Sequence, residues 1–265
     1  FVSMDHPMLK LSGLNDLLEC YHSNVYAEQD CYYFFDEIQY ASDWDKWMKT
    51  IYDMQPETKM VATGSASPAL MKGSSESGAG RWSVIQVPTL SFYEYCALIG
   101  ARVPELGPEI RPTAFLHMAQ QERTAVMIKL EEVQNYFMRY LRVGGFPELA
   151  LASDDLMAQQ IMREDVVDKV LKRDLPALYK IRSATELERI FLYLCNVSSE
   201  IVSFSAIAND LGGVSRPTVE NYVNYLESAN LIYQSWPVEM GGHKILKAKP
   251  KIYIADAAIR NAVLM

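Results

Sequence analysis

The sequence has few of the residues that build metal knuckles or disulfide frameworks. It contains only four histidines, which are scattered, and four cysteines, which lie far apart and form no CxxC pair: Cys20, Cys31, Cys96 and Cys195. This pattern argues against a zinc knuckle, a disulfide framework and a histidine-based metal site. A reducing cytoplasm is therefore the expected location.

Long apolar runs and an excess of basic charge are also missing. No apolar run reaches the roughly 18 residues needed to span a bilayer, and no signal peptide is visible, so no membrane partner is expected. The net charge is −8 over 265 residues. Residues 1–138 carry all of that excess, whereas residues 139–265 are neutral. An acidic front and a neutral rear suggest two units, neither charged like a general nucleic-acid binder.

The front of the chain alternates between predicted strands and helices. The run Cys31–Phe35 is too short and too apolar for an amphipathic helix, which predicts a strand buried on both faces. After a cap at Ser42 or Asp43, a helix places four apolar residues on one face: Trp44, Trp47, Met48 and Ile51. Another helix is predicted at Gly13–Tyr21, and further strands at Phe1–Met4, Lys59–Ala62 and Trp82–Val87. The alternation predicts an α/β fold with a parallel sheet covered by helices.

From Ser91 onward the pattern is mainly helical. Gly144-Gly145-Phe146-Pro147 predicts a stop, and Pro176 is expected to close a long helix. Helices are predicted at 114–143 with a break, 154–174, 185–197, 203–211 and 215–230, and strands at 231–236 and 251–255 around a Gly241-Gly242 turn. Helix, turn, helix and two strands in this order indicate a winged helix. The predicted division is an α/β core at 1–90, a helical linker or lid at 91–180, a winged helix at 181–250 and the start of a further domain at 251–265.

The segment CYYFFDEIQY places two carboxylates, Asp36 and Glu37, directly after the apolar strand. Side chains at the carboxyl end of a parallel strand face the crevice where α/β sheets bind ligands. Asp36 can hold Mg²⁺ through water, and Glu37, which points another way, can polarise a water for attack on phosphorus. The alternative is that the two acids only end the strand and solvate a turn.

Polar residues also follow the next strand and a glycine-rich loop. KMVATGSAS brings Thr63 and Ser65 to the strand tip, where they can hydrogen-bond the attacking water or a terminal phosphate. Arg81, after the loop at Gly73–Gly78, can clamp a phosphate. The alternative for Arg81 is an ordinary surface arginine. If Arg81 acted across a subunit boundary, the protein would have to be a homo-oligomer.

These segments resemble the predicted bacterial and archaeal ATPases of the AAA superfamily. The resemblance rests on DEIQ followed by KMVATGSAS and GAGRWSVIQVPTLSFYEY, and in the rear half on GGFPE, LKRDL and PKIYIAD. It implies an α/β P-loop NTPase-type sheet with DEIQ as the Walker B segment. Asp36 would then assist Mg²⁺, Glu37 would activate water, and Thr63 or Ser65 would sense the γ-phosphate of ATP.

One motif of that family is absent from these residues. A P-loop needs GxxxxGK[ST], whose amides and lysine hold the phosphates, and Gly73–Gly78 is followed by Ala79 instead of lysine. In the family the P-loop lies upstream of the strand that corresponds to Phe1–Met4. The sheet is therefore expected to be incomplete at its N-terminal side, with the P-loop outside these residues or lost. ATP would bind poorly to residues 1–265 alone.

The helix-turn-helix region raises the question of DNA binding. Arg216 and Asn221 on the predicted second helix could contact bases or backbone, and Lys244 and Lys247 in the wing could contact phosphates. The same helix carries Glu220 and Glu227, so we favour a packing or lid module over a DNA reader. DNA remains the alternative partner.

The sequence as a whole predicts an ATP-binding and ATP-hydrolysing AAA-type module that uses Mg²⁺ and is coupled to a winged helix. Hydrolysis is expected in the full-length protein and not in residues 1–265 alone. The alternatives are a non-enzymatic DNA-binding or regulatory protein with a decayed nucleotide site, and a subunit of a nuclease-like protein whose catalytic part lies past Met265.

Overall fold

The fold is taken from a computed structural model that describes residues 1–9, 13–26, 31–64, 81–107, 110–238 and 248–264. Contacts within the chain define two units. The first contains residues 1–86 with 224–230, and the second contains residues 87–223 with 231–265. Each unit is described by itself.

The first unit is built on a three-stranded parallel sheet in the order β1–β2–β3. The strands are β1 (Val2–Ser3), β2 (Tyr32–Asp36) and β3 (Lys59–Ala62). In the register, Ser3 lies opposite Asp36, and Phe35 lies opposite Ala62. Helix α1 (Leu14–Asn24), a 3-10 turn (Ile38–Tyr40) and helix α2 (Trp44–Met54) join the strands. The predicted strand–helix alternation and parallel pairing are confirmed for this part of the chain.

One face of this sheet holds the core of the unit. Tyr33 and Phe35 are buried with residues from both helices and the 3-10 turn, namely Met4, Leu14, Ile38, Ala41, Trp44 and Met48. The alternate residues Tyr32 and Phe34 are 70% and 45% exposed. The prediction that this strand is buried on both faces is wrong for the described residues, because α1 and α2 pack together on the same face.

The predicted strand at Trp82–Val87 is not formed. The segment is described but pairs with no strand among the described residues. A strand needs a neighbour for its backbone hydrogen bonds, so apolar composition alone does not create one. Trp82 packs against the core, with its ring 6.3 Å from that of Trp44, while Ile85 is 84% exposed.

The second unit is mainly helical. Its first helices are α3 (Phe92–Leu98), α4 (Pro112–His117), α5 (Gln120–Val143), α6 (Pro147–Ala150) and α7 (Asp155–Ile161). The predicted break in the long helix falls between His117 and Gln120. The predicted stop is confirmed, because α5 ends at Val143. Two π-helical segments, Met162–Asp168 and Val170–Asp174, continue from α7.

Pro176 does not close this helical run, as the sequence suggested. Helix α8 (Leu175–Tyr179) contains Pro176 in its first turn. Pro176 stands just after the junction where the π-helical segment passes into α8, and the helical run continues through it. The chain ends this run at Lys180, which takes a left-handed conformation with φ 49°.

The rest of the chain is made of helices and a hairpin. These are α9 (Ala184–Asn196), α10 (Phe204–Leu211), α11 (Arg216–Ser228), β4 (Ile232–Ser235), β5 (Lys251–Ile254) and α12 (Ala257–Leu264). Strands β4 and β5 pair antiparallel, and Ile201 adds a bridge to Lys251. Helix α12, which the sequence did not predict, packs against α5, α7 and α9. The helices and strands predicted between 185 and 255 are therefore present, with ends shifted by one or two residues.

No helix in the described part of the chain is long and apolar enough to cross a membrane.

Candidate functional site

The carboxyl ends of the three parallel strands bring polar side chains to one edge of the sheet. Ser3 ends β1, Asp36 ends β2, and Thr63 follows β3. Backbone hydrogen bonds hold this edge together, since Thr63 N donates to Phe35 O at 2.8 Å and Met4 N donates to Asp36 O at 2.8 Å. Such an edge is where ligands bind in open α/β sheets.

Asp36 and Thr63 meet directly at this edge. The Thr63 hydroxyl donates a hydrogen bond to Asp36 Oδ1. The two residues are 27 positions apart in the sequence and are joined only because β2 and β3 are neighbours. Two residues that the sequence assigned to one site are thus in contact.

Glu37 turns away from the strand. Its backbone is left-handed, with φ 51° and ψ 45°, and it precedes the 3-10 turn. This conformation is uncommon for a residue other than glycine, and strained backbone of this kind occurs often at functional sites. Glu37 Oε2 accepts a hydrogen bond from the Gln39 side chain. The turn places Glu37 beside Asp36 while aiming its carboxylate differently.

Gln39 is a site residue that the sequence analysis missed. It is the last letter of DEIQ, two positions after Glu37, and its amide fixes the direction of the Glu37 carboxylate. The glutamine was visible in the motif, but helix or strand periodicity does not predict a hydrogen bond from the side chain at position 39 to the side chain at position 37. Only the left-handed turn makes that contact possible.

Arg81 is held by α2. Its guanidinium donates to both carboxylate oxygens of Asp53, from Nε at 2.9 Å and from Nη2 at 3.3 Å. The hydrogen bond from Arg81 lowers the pKa of Asp53 below its usual value and raises the pKa of Arg81. A two-point contact of this type fixes the orientation of a guanidinium. The clamp role of Arg81 stays a prediction, and Asp53 is its partner in this structure.

Several residues predicted from the sequence lie outside the described residues. They are Ser65, Lys244 and Lys247, together with the Gly73–Gly78 loop and the Gly241-Gly242 turn. Arg216 and Asn221 are described, and both are exposed on α11.

The donors at the sheet edge suit a hard cation. Asp36 is partly exposed and offers a carboxylate, and Thr63 and Ser3 offer hydroxyls. Oxygen ligands, with water filling the remaining positions, are what Mg²⁺ prefers. Among the described residues there is no cluster of three or more histidine, cysteine or acidic side chains. One carboxylate and two hydroxyls are compatible with an ion that keeps most of its own water.

The second unit contains a buried junction between two motifs from the rear half, GGFPE and PKIYIAD. Asp256 is 6% exposed, and its carboxylate accepts hydrogen bonds from Gly145 N at 2.8 Å and Ala258 N at 2.9 Å. A Cβ on Gly144 would lie 2.3 Å from Asp256 Oδ1, and one on Gly145 would lie 2.3 Å from Leu90 O. Both glycines are needed for this close approach, so the motif has a structural role.

Two known families match separate parts of the chain, one at the front and one at the rear. Residues 1–96 match the AAA domain family, and residues 134–265 match a domain of unknown function, DUF8612. The first match confirms, at the level of the superfamily, the resemblance that the DEIQ and TGS segments indicated. It supports a P-loop ATPase relationship for the front of the chain.

The similar curated proteins are themselves uncharacterized. One from Methanocaldococcus jannaschii is 28% identical over 85% of this chain and 46% of its own length. Another from the same organism is 26% identical over 99% of this chain and 55% of its own length. A Haemophilus influenzae protein is 24% identical over 89% of this chain and 53% of its own length. The chain thus spans about half the length of the curated relatives it matches.

A solved structure, the Walker-type ATPase of Pyrococcus abyssi, aligns with a TM-score of 0.49 and 17% identity. The alignment covers 88% of this chain and 63% of that one.

Proposed function

We propose that these residues are the Walker B half of a Mg²⁺-dependent ATPase whose phosphate-binding loop is supplied by another part of the full-length protein. The observation that carries the proposal is the contact of Asp36 with Thr63 beside a left-handed Glu37 that Gln39 orients. The AAA domain match over residues 1–96 supports it.

Each residue at the sheet edge has a role in this proposal. Asp36 and the hydroxyl of Thr63 would hold Mg²⁺ through its water ligands, and the ion would neutralise charge on the phosphates. The hydrogen bond from Thr63 engages Oδ1 of Asp36, and the other carboxylate oxygen would face the ion. Thr63 would also respond to the terminal phosphate.

Glu37 would act as the base. Its carboxylate takes a proton from a water, whose oxygen attacks the γ-phosphorus of ATP. The bond to the bridging oxygen breaks, and ADP and phosphate leave. Gln39 keeps the Glu37 carboxylate in one orientation. Positioning of this kind is a main contribution of the protein to phosphoryl transfer.

The test is Glu37→Gln in the full-length protein. Because glutamine can still accept a hydrogen bond but cannot take the proton, we expect ATP turnover to fall by about 10²–10⁴-fold, while ATP affinity stays within about twofold. Glu57→Gln, an exposed residue of the same unit, is the matched control and should keep full turnover. Full turnover with glutamine at position 37 would show that the base is another residue.

The helix–turn–helix–strand–strand order of α10, α11, β4 and β5 supports a winged helix coupled to this module. The alternative is a regulatory protein with a decayed nucleotide site. It predicts that ATP with Mg²⁺ leaves the melting temperature of the full-length protein unchanged, whereas the ATPase proposal predicts an increase.

A further inference from the structure

The second unit contains a cleft of about 530 Å³ between the start of α10, the start of α11, the end of β4 and the approach to β5. Its walls include Ser203, Phe204, Arg216, Glu220, Trp236 and Lys249. The volume falls within the range of about 300–1,000 Å³ that is usual for ligand sites. The nucleotide site proposed above belongs to the first unit, and none of its residues lines this cleft.

Positive charge collects at this cleft although the rear half of the chain is neutral overall. Arg216 and Lys249 are both exposed and line the cleft. Neither belongs to an ion pair within the part of the chain that the structure describes. Glu220 lines the same cleft, so two cations stand against one carboxylate, and this excess of positive charge at a concave surface favours an anionic ligand.

A hydroxyl and a helix terminus add to this preference. Ser203 precedes the first residue of α10, yet its side chain makes no capping hydrogen bond to that helix. Ser203 is one of the residues that line the cleft. The N-terminus of α10 carries partial positive charge from the aligned peptide dipoles. Two cations, a hydroxyl and this dipole form a set of donors suited to a phosphate.

Trp236 supplies a different kind of surface. It follows β4, is 50% exposed and forms part of the cleft wall. Proteins that bind single-stranded nucleic acid combine exposed aromatic rings with cationic groups. A base stacks on the ring, and the phosphate backbone contacts the charges. Glu220, one turn after Arg216 on α11, can accept a hydrogen bond from the amino group of a base.

We infer that this cleft binds single-stranded nucleic acid. A backbone phosphate lies between Arg216, Lys249 and the Ser203 hydroxyl, and the adjoining base stacks on Trp236. Stacking on Trp236 requires the exposed face of an unpaired base. The bases of an intact duplex are stacked on each other and do not offer that face. The exposed Asn221 does not line the cleft, so this site differs from a helix that reads the major groove.

The test measures binding of a fluorescent single-stranded oligonucleotide of about 12 residues to the full-length protein, in EDTA and without ATP, so that hydrolysis plays no part. Loss of one stacked base in Trp236→Leu should weaken binding by about tenfold, while Trp236→Phe should retain most of it. Arg216→Gln should weaken binding and reduce the slope of log affinity against log salt by about 0.7, the value for one phosphate contact on a single strand.

Arg182→Gln is the matched control, since Arg182 is an exposed arginine of the same unit that does not line the cleft. It should bind as the unchanged protein does, and so should the proteins with substitutions at Glu37. The inference would be overturned by no binding of the oligonucleotide, by equal weakening from Arg182→Gln and Arg216→Gln, or by tighter binding of the duplex that is insensitive to Trp236→Leu. Equally tight binding of an acidic peptide of the same charge would also overturn it.

Discussion

Phe34 and Phe35 are neighbours in the sequence, but the strand directs their side chains to opposite faces of the sheet. Phe35 is 2% exposed and packs in the core of the first unit, whereas Phe34 is 45% exposed. Alternation along a strand makes this difference unavoidable once one face is covered by helices. The two phenylalanines therefore form a matched pair, with the same chemistry in two environments.

We expect Phe35→Ala to lower the free energy of unfolding by about 3–5 kcal/mol, because it leaves a cavity in a packed core. Phe34→Ala should cost about 1 kcal/mol or less. Urea denaturation of the chain of residues 1–265, followed by circular dichroism, measures both. Equal losses would contradict the one-sided burial described above.

Single residues of the candidate site differ in how far the sequence could predict them. The approach of Asp36 to Thr63 follows from parallel pairing of two apolar runs, and both residues could be named in advance. The contact from Gln39 to Glu37 could not, because position 37 takes a left-handed turn without glycine or asparagine to signal it. The pairing of Arg81 with Asp53 depends on the three-dimensional position of the C-terminal end of α2. The spacing of residues in the sequence does not predict that position.

At the scale of elements, the clearest feature is the attachment of α12 to the turn after α5. Asp256 precedes α12 and bonds to the Ala258 amide in its first turn, while its other oxygen binds the Gly145 amide. Tyr140 on α5 donates to Leu90 O at 2.8 Å, and Leu90 N donates to Gly145 O at 2.7 Å. One carboxylate thus caps a helix and anchors a turn.

Asp256→Ala should therefore destabilise the second unit by about 3 kcal/mol, since two buried amides lose a charged acceptor. Asp256→Asn keeps one carbonyl oxygen and should lose roughly half as much. Asp165→Ala, at an exposed acid in the same unit, provides the comparison and should change stability by less than about 0.5 kcal/mol. A loss from Asp256→Ala no larger than that of the control would mean that water replaces the carboxylate. Thermal or urea unfolding of the three variants decides the matter.

Helices and strands could be predicted from the sequence where the local residue pattern and the tertiary contacts favour the same secondary structure. Strand β3 and helices α9 to α11 follow from periodicity and caps, as in α9, where Ser183 accepts from Glu186 N. The Trp82–Val87 strand was wrong because strand formation depends on a partner that the segment itself does not reveal. Helix α12 was missed because its eight residues gain stability mainly from packing and from the Asp256 cap, both of which involve distant parts of the chain.

At the scale of the whole molecule, the described residues form two units of different character. The first is a small parallel sheet with one open face, and the second is a helical body completed by a hairpin. The chain covers about half of its curated relatives, so the activity of the complete proteins remains a proposal.

Alkaline pH should weaken the second unit through Cys195. The thiol is fully buried in α9, and burial raises its pKa from the ordinary value of 9.0 to about 12. Between pH 9 and 12 the unfolded chain loses this proton while the folded chain keeps it, so stability falls as pH rises. The slope contributed by this group approaches about 1.4 kcal/mol per pH unit.

Urea unfolding between pH 8.5 and 10.5 tests this expectation. Cys195→Ala should give a shallower fall in stability with pH than the unchanged chain. Cys20→Ala, at an exposed thiol, should leave the slope as it was. Identical slopes in the unchanged chain and in Cys195→Ala would show that the buried thiol does not control the alkaline limit.

The hydrogen bond between Gly145 and Asp256 also concerns the order in which parts of the second unit are made during translation. Its two ends are 111 positions apart, and ribosomes add about 5–20 residues per second, which separates them by roughly 6–20 s of synthesis. The surface of α5 that α12 will cover lacks this partner throughout that interval, and the surfaces of α7 and α9 lack it from the time they are made. The second unit therefore closes only near the end of translation of these residues. Until then, the apolar surface left uncovered makes the nascent unit prone to aggregation.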